Sequence, residues 1–241
     1  MNPATAKSSK LRQWCGVVVF AVAMAWVESA VVLYLRSLTQ EFDPYKPDQT
    51  PLAQGIIGAE LVREFATLLM LGSVGWLAGQ TWRSRVALAL VAFGTWDIFY
   101  YVFLVPLTGW PRSVLDWDIL FLLPLPWWGP VLAPVVIAGL MIAGGSLVAL
   151  SDSHERPLWP SRPTSLAALV GGALALYAFM ESAMRALPQG VESLMPLRPE
   201  RFQWPLFLLG VVGLSAPVVE LAWRTRRSAA PRLPCLDDGG P

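Results

Sequence analysis

Six mostly apolar stretches, 14–35, 61–79, 86–106, 131–150, 165–186 and 204–223, recur along this chain of 241 residues. An α-helix of about 20 such residues crosses the roughly 30 Å of hydrocarbon in a bilayer. Backbone polar groups in that medium must be satisfied internally, so only helices and closed barrels span it. The runs are too long and continuous for strands. The expected fold is therefore all-α, a polytopic transmembrane helical bundle of about six spans forming a single domain over 1–227, with a disordered tail over 228–241. Composition agrees: 15% of residues are charged, against roughly 25% in an ordinary soluble domain.

Lys7, Lys10 and Arg12 precede the first span and Ala21-Val22-Ala23 lies inside it, a pattern that overlaps with a secretory leader. The apolar pattern continues to Leu35, so an uncleaved helix is expected. With the N-terminus inside, eleven Lys and Arg fall on the cytoplasmic side and seven outside. That bias is the one the positive-inside rule asks for, and an even number of spans puts the C-terminus inside as well. Trp14, Trp82, Trp159 and Trp223 fall near the inner boundary, and Trp110, Trp117, Trp127, Trp128 and Trp204 near the outer one, as in an interfacial belt. The expected location is a membrane crossed several times, with both termini cytoplasmic.

Lipid gives helices no hydrophobic reason to associate, so close packing relies on small residues. Gly75 and Gly79, Gly139 and Ala143, and Ala168 and Gly172 are spaced for such contacts, and Pro217 is placed to kink the sixth span. The segment from Pro106 to Pro130 holds too many prolines for a crossing and is too apolar for a free loop. It is expected to be a re-entrant or interfacial element on the outer side, which is tolerated at membrane depth where it lines a cavity.

The acids carry the functional signal. A charge at the bilayer centre costs at least about 2.5–3.5 kcal/mol, so such residues face the bundle interior. Glu28 lies in the outer half of the first span, Glu60 and Glu64 at the outer mouth of the second, Asp97 near the middle of the third, and Glu181 in the outer half of the fifth. Asp116 and Asp118 lie between the third and fourth spans. Helical spacing puts Glu60, Arg63, Glu64 and Thr67 on one face, Asp97, Tyr100, Tyr101 and Leu104 on another, and Tyr177, Glu181 and Arg185 on a third. "AWVESAV" around Glu28 and "AFMESAM" around Glu181 share an A-x-x-E-S-A pattern that would set two Glu-Ser pairs at similar depth. The candidate outward-facing cavity comprises Glu28, Glu64, Asp97, Tyr100, Tyr101, Asp118, Glu181 and Arg185. Glu60 reads as a water-boundary acid, and Glu220 as a cytoplasmic-edge acid near Arg224.

An all-oxygen cavity suits protons or hard cations better than transition metals. The single histidine, His154, lies in a polar loop, and Cys15 and Cys235 are far apart, so no metal or cofactor is expected. Phosphate-loop, H-E-x-x-H and G-x-S-x-G motifs are missing, and there is no basic surface for nucleic acid. Three functions fit. The first is a proton- or cation-coupled binding or transport protein. The second is an intramembrane acid/base enzyme acting on a lipid or isoprenoid. The third is a non-catalytic subunit or assembly factor of a membrane complex. The partners implied are the bilayer, a small cation, proton or lipid ligand, and other membrane proteins.

"RE-x-A-T-x-x-M-L" from Arg63, "FGTWDIFYY" from Phe93, "GWP" from Gly109 and "WDILFLLP" from Trp117 resemble a group of polytopic bacterial inner-membrane proteins with no assigned activity. The resemblance covers roughly residues 14–150 and implies a multi-span protein without specifying chemistry. "TWDIFYY" followed by "DWDILFLLPLPWWGP" is also similar to membrane lycopene cyclases, whose acids act on a polyene without a redox cofactor. The acidic pair of that family is replaced here by Pro126-Trp127-Trp128, so no catalytic residue is carried over.

Overall fold

A computed structural model describes residues 3–39, 54–122, 124–153, 157–190 and 199–229. Its helices are α1 (Pro3–Thr39), α2 (Gln54–Ala78), α3 (Trp82–Thr108), α4 (Leu132–Ser151), α5 (Arg162–Ala186) and α6 (Trp204–Ala229). Each contains a segment long and apolar enough to cross a membrane. The chain is a multi-pass membrane protein. Its surface is correspondingly apolar, with Leu77 83% and Leu169 71% exposed. The expected tail begins two residues late, because α6 continues through Ser228 and Ala229. The rest of that tail, with Cys235, and the loop position of His154 lie outside the described residues.

α3 is the central helix and packs against α1, α2 and α4, while α6 joins α5 to α4. Among the described residues α4 and α5 do not pack on each other although they are consecutive. α3 starts in a capping box: the Thr81 hydroxyl accepts from Ser84 N–H at 3.0 Å, and Ser84 Oγ accepts from Thr81 N–H at 2.9 Å. It ends at Gly109, whose φ of 71° is the left-handed cap that glycine adopts without strain.

Backbones approach closely where side chains are absent. A Cβ on Gly75 would lie 2.4 Å from Ala89 N on α3, and one on Gly79 2.5 Å from Arg85 N. For α3 and α4 the close approach is at Gly94 and Gly145, where a Cβ would lie 2.6 Å from the Ala138 and Ala87 carbonyl oxygens. The spacing in the sequence pointed elsewhere in α4 and α5. Gly139 has nothing within 4 Å and Gly172 meets only Leu214 at 3.8 Å, because each is turned away from its neighbour's backbone. Gly94→Leu is therefore expected to lower the thermal midpoint by the equivalent of about 1–3 kcal/mol or more. Gly139→Leu should leave it unchanged in the same detergent melt.

Pro106 lies inside α3, and beyond the cap at Gly109 the described residues up to Pro130 form a hairpin. β1 (Trp117–Ile119) pairs antiparallel with β2 (Trp128–Pro130), with Asp118 opposite Gly129. The pairing continues through Leu120 N–H to Trp127 O and Trp127 N–H to Phe121 O, both 2.8 Å. Gly129 lets β2 lie on α5, since a Cβ there would meet the Phe179 ring at 2.8 Å. The hairpin thus caps one end of the bundle and reaches from α3 to α5.

At the opposite end, acids act as ties. Asp152 accepts from Thr81 Oγ1 at 2.7 Å, Arg83 Nε at 2.7 Å and Leu158 N–H at 2.9 Å, and Lys10 donates to its carbonyl. Burial alone would push its carboxyl up, but these donors and the Arg83 charge outweigh burial and hold it below the usual range. Glu220 pairs with Arg224 and also accepts from Ser161 N–H at 3.0 Å, placing negative charge at the start of α5.

Candidate functional site

Asp97 lies in α3 eleven residues before its last residue, Thr108, hence about 16 Å from the hairpin end. Tyr100 and Tyr101 stand one turn further on, so all three share the face that meets α1, α2 and the hairpin. α1 contributes Glu28, α2 contributes Arg63, Glu64 and Thr67, and the hairpin contributes Asp118 and Phe121. Together they line one cleft. About 60 Å³ of it is open to the centre of a water molecule, where one water needs roughly 10–15 Å³. It has room for several waters or a small ligand.

Most of these side chains are committed to partners. Arg63 bridges from α2 to Glu28 on α1, and its guanidinium also meets Glu60 Oε2 at 2.6 Å. Thr67 Oγ1 donates to Glu28 at 3.3 Å, so Glu28 is held from α2 twice. The Glu64 carboxylate accepts the Leu122 N–H at 3.1 and 3.2 Å, which fastens the hairpin to α2. Tyr101 OH donates to Asp118 at 3.0 Å, fastening it to α3. Ser29 Oγ donates to the Tyr100 carbonyl at 3.0 Å, joining α1 to α3. Arg36, also buried, stacks over Trp110 at 4.5 Å. Burial pushes the Asp118 carboxyl up to about 6, against the pull of the Arg36 charge, the Tyr101 hydroxyl and a backbone N–H.

Asp97 and Trp96, which both face the cleft, are different. Asp97 is 8% exposed and makes no hydrogen bond or ion pair with the described residues. The indole N–H of Trp96, a residue 6% exposed, also has no hydrogen-bond partner. A buried polar group without a partner is rare and unfavourable, and it marks where water or a ligand belongs. The ring of Trp96 stacks on Tyr100 at 6.2 Å and lies 6.4 Å from Phe121, giving the cleft an aromatic wall.

No protein-family model matches the chain, and no curated protein or solved structure is significantly similar to it.

Of the candidate residues, the cleft gathers Glu28, Glu64, Asp97, Tyr100, Tyr101 and Asp118. Glu181 and Arg185 stand apart. Among the helices of the described residues α5 packs on α6 alone, so Glu181 meets Arg185 one turn on and Gln203 Nε2 at 3.4 Å instead of the other acids. The echo between Glu28 and Glu181 does not correspond to a shared site. Glu60, expected at the water boundary, is drawn into the Arg63 bridge. Arg63, Trp96, Thr67 and Arg36 were not among the candidates. Arg63 and Thr67 did share the Glu64 face by spacing, whereas nothing in the periodicity marks Trp96. Among the described residues no three of His, Cys, Asp and Glu are grouped to hold a metal ion.

Proposed function

We propose that the cleft binds a small organic cation in exchange for protons, making this chain a proton- or cation-coupled binding or transport protein. Asp97 carries the reading. A buried carboxylate with no protein partner requires a compensating positive charge, either a proton or a bound cation. Asp118 adds a second carboxyl to the same space. Trp96, Tyr100 and Phe121 supply π faces, which attract an ammonium group most strongly when it is desolvated. The bias of Lys and Arg supports an orientation with both termini cytoplasmic and the hairpin facing outward, and the sequence resemblance supports a bacterial inner-membrane location.

Proton competition gives the test. The charged groups around the pair are Glu28 and Arg36 from α1 and Arg63 and Glu64 from α2, while α4 carries no charged residue. Asp118, with its carboxyl near 6, is protonated below that pH and cannot then hold an ammonium group. Calorimetric affinity for ethylammonium in lipid nanodiscs should be highest above about pH 7. It should fall by up to about tenfold per pH unit below 6, with proton release on binding. Ethanol should not bind. An affinity independent of pH between 5 and 8, or no heat with any short ammonium ion, would remove the support for this function.

A further inference from the structure

The cleft continues behind Asp97. Asp97, Leu120 and Phe121 also border a second cavity, otherwise apolar, that reaches Ile137 and Met141 on α4. Those two residues in turn border a groove between α3, α4, α5 and α6 that extends to Val148, Trp159 and Leu221. About 330 Å³ of that groove is open to the centres of water-sized molecules, and its walls are almost wholly aliphatic. It exists because α4 and α5 do not pack together, and Gly144 on α4 and Val218 on α6 both line it. Ile137 and Val148 are eleven residues apart, so the groove follows α4 for about 16 Å, enough for a medium-length hydrocarbon chain. Three cavities therefore lie in series, polar at one end and apolar at the other.

An ordinary phospholipid on this side fits poorly. Its headgroup would sit at the face bearing Trp159 and its methyl terminus would point toward Asp97, setting hydrocarbon against a buried carboxyl. A molecule of opposite polarity fits both ends. Building on the cation-binding reading above, we infer that the natural ligand is a single-chain cationic amphiphile, with its ammonium head between Asp97 and Asp118 and its chain in the α3–α4–α6 groove. Lipid solvates a hydrocarbon chain as well as protein does, so the groove adds placement rather than affinity over the bilayer. It brings the head to Asp97 from within the membrane.

The test uses dodecylammonium carrying a diazirine at its chain end, irradiated with the full protein in lipid nanodiscs, with labelled peptides mapped by mass spectrometry. Label is expected on the stretches 140–148 and 214–221, displaced by unlabelled dodecylammonium but not by dodecanol. It should fall roughly 30-fold in Asp97→Asn. Met141→Trp, which plugs the passage, should abolish that labelling and leave ethylammonium binding intact. Label spread equally over the lipid-facing Trp76 and Leu77 of α2, or undiminished in Met141→Trp, would overturn the amphiphile inference alone. Unchanged ethylammonium affinity in Asp97→Asn would overturn the cation reading beneath it. The wild-type labelling pattern decides the matter even if Met141→Trp fails to fold.

Discussion

Asp97→Asn is expected to weaken ethylammonium binding by roughly 30-fold or more while leaving thermal stability unchanged or raised. Truncating one member of a buried charge pair typically costs about 2–5 kcal/mol of binding, and each 1.4 kcal/mol is about a factor of ten. Asn keeps the shape and removes the charge. Stability should hold because Asp97 fastens nothing: it has no hydrogen bond or ion pair with the described residues. Removing an uncompensated buried charge relieves a desolvation penalty, so the melt moves up if it moves. The two readouts separate a ligand-binding acid from a structural one. Asp152→Asn is the structural control, since Asp152 gathers Thr81, Arg83 and Leu158 around its carboxylate. It should lower the melt and spare binding. Calorimetry and a detergent melt on both variants check this, and parallel losses of binding and stability in Asp97→Asn would count against the assignment.

Arg63→Met is expected to have the largest effect on stability, about 3–5 kcal/mol. Arg63 is 24% exposed at its side chain and Glu28 8%, so little water can replace the lost guanidinium. Glu28 would keep only Thr67 as a donor, at 3.3 Å, for a carboxylate in the bundle interior. The loss should come mainly from the stranded acid, and Glu28→Gln in the same chain should restore most of it. A double-mutant cycle on thermal or denaturant unfolding measures the coupling. Additive effects, with coupling below about 0.5 kcal/mol, would mean that Arg63 and Glu28 do not depend on each other.

Much of this architecture was legible because lipid simplifies the code. Twenty-residue apolar runs located six helices, although α1 and α2 begin well before the expected 14 and 61, and the expense of a membrane charge marked Glu28, Glu64 and Asp97 as inward-facing. Spacing put Tyr100 and Tyr101 on the Asp97 face. Spacing says nothing, however, of which helix a face meets. Glu181 sits in a pattern nearly identical to that around Glu28, yet α5 packs on α6 and the hairpin, and its acid turns to Arg185 and Gln203. The hairpin was legible only as something short of a crossing, since strands of three residues are too short for a period to be read. Spacing put Arg63 on the face of Glu60 and Glu64 but not against Glu28, because the long reach of an arginine across to α1 leaves no periodic trace. The packing glycines show the same limit: Gly75 and Gly79 lie at a close backbone approach, whereas Gly139, equally well spaced, faces open space.

These details make the hairpin part of the site rather than a cover for it. Asp118 is the acid it contributes to the cleft, and Glu64 and Tyr101 are the points at which α2 and α3 hold it. Any ligand that alters the charge of Asp118 acts directly on one of these fastenings.

Acids from α1, α2, α3 and the hairpin meet around one space, in which we propose that a cation offsets Asp97. A density map of the protein in a lipid disc, collected with ethylammonium above pH 7, decides it. The expected result is ligand density between Asp97 and Asp118, against the Trp96 ring. Asp97 turned toward acyl chains, or bonded to a protein donor with the cleft closed, would contradict it.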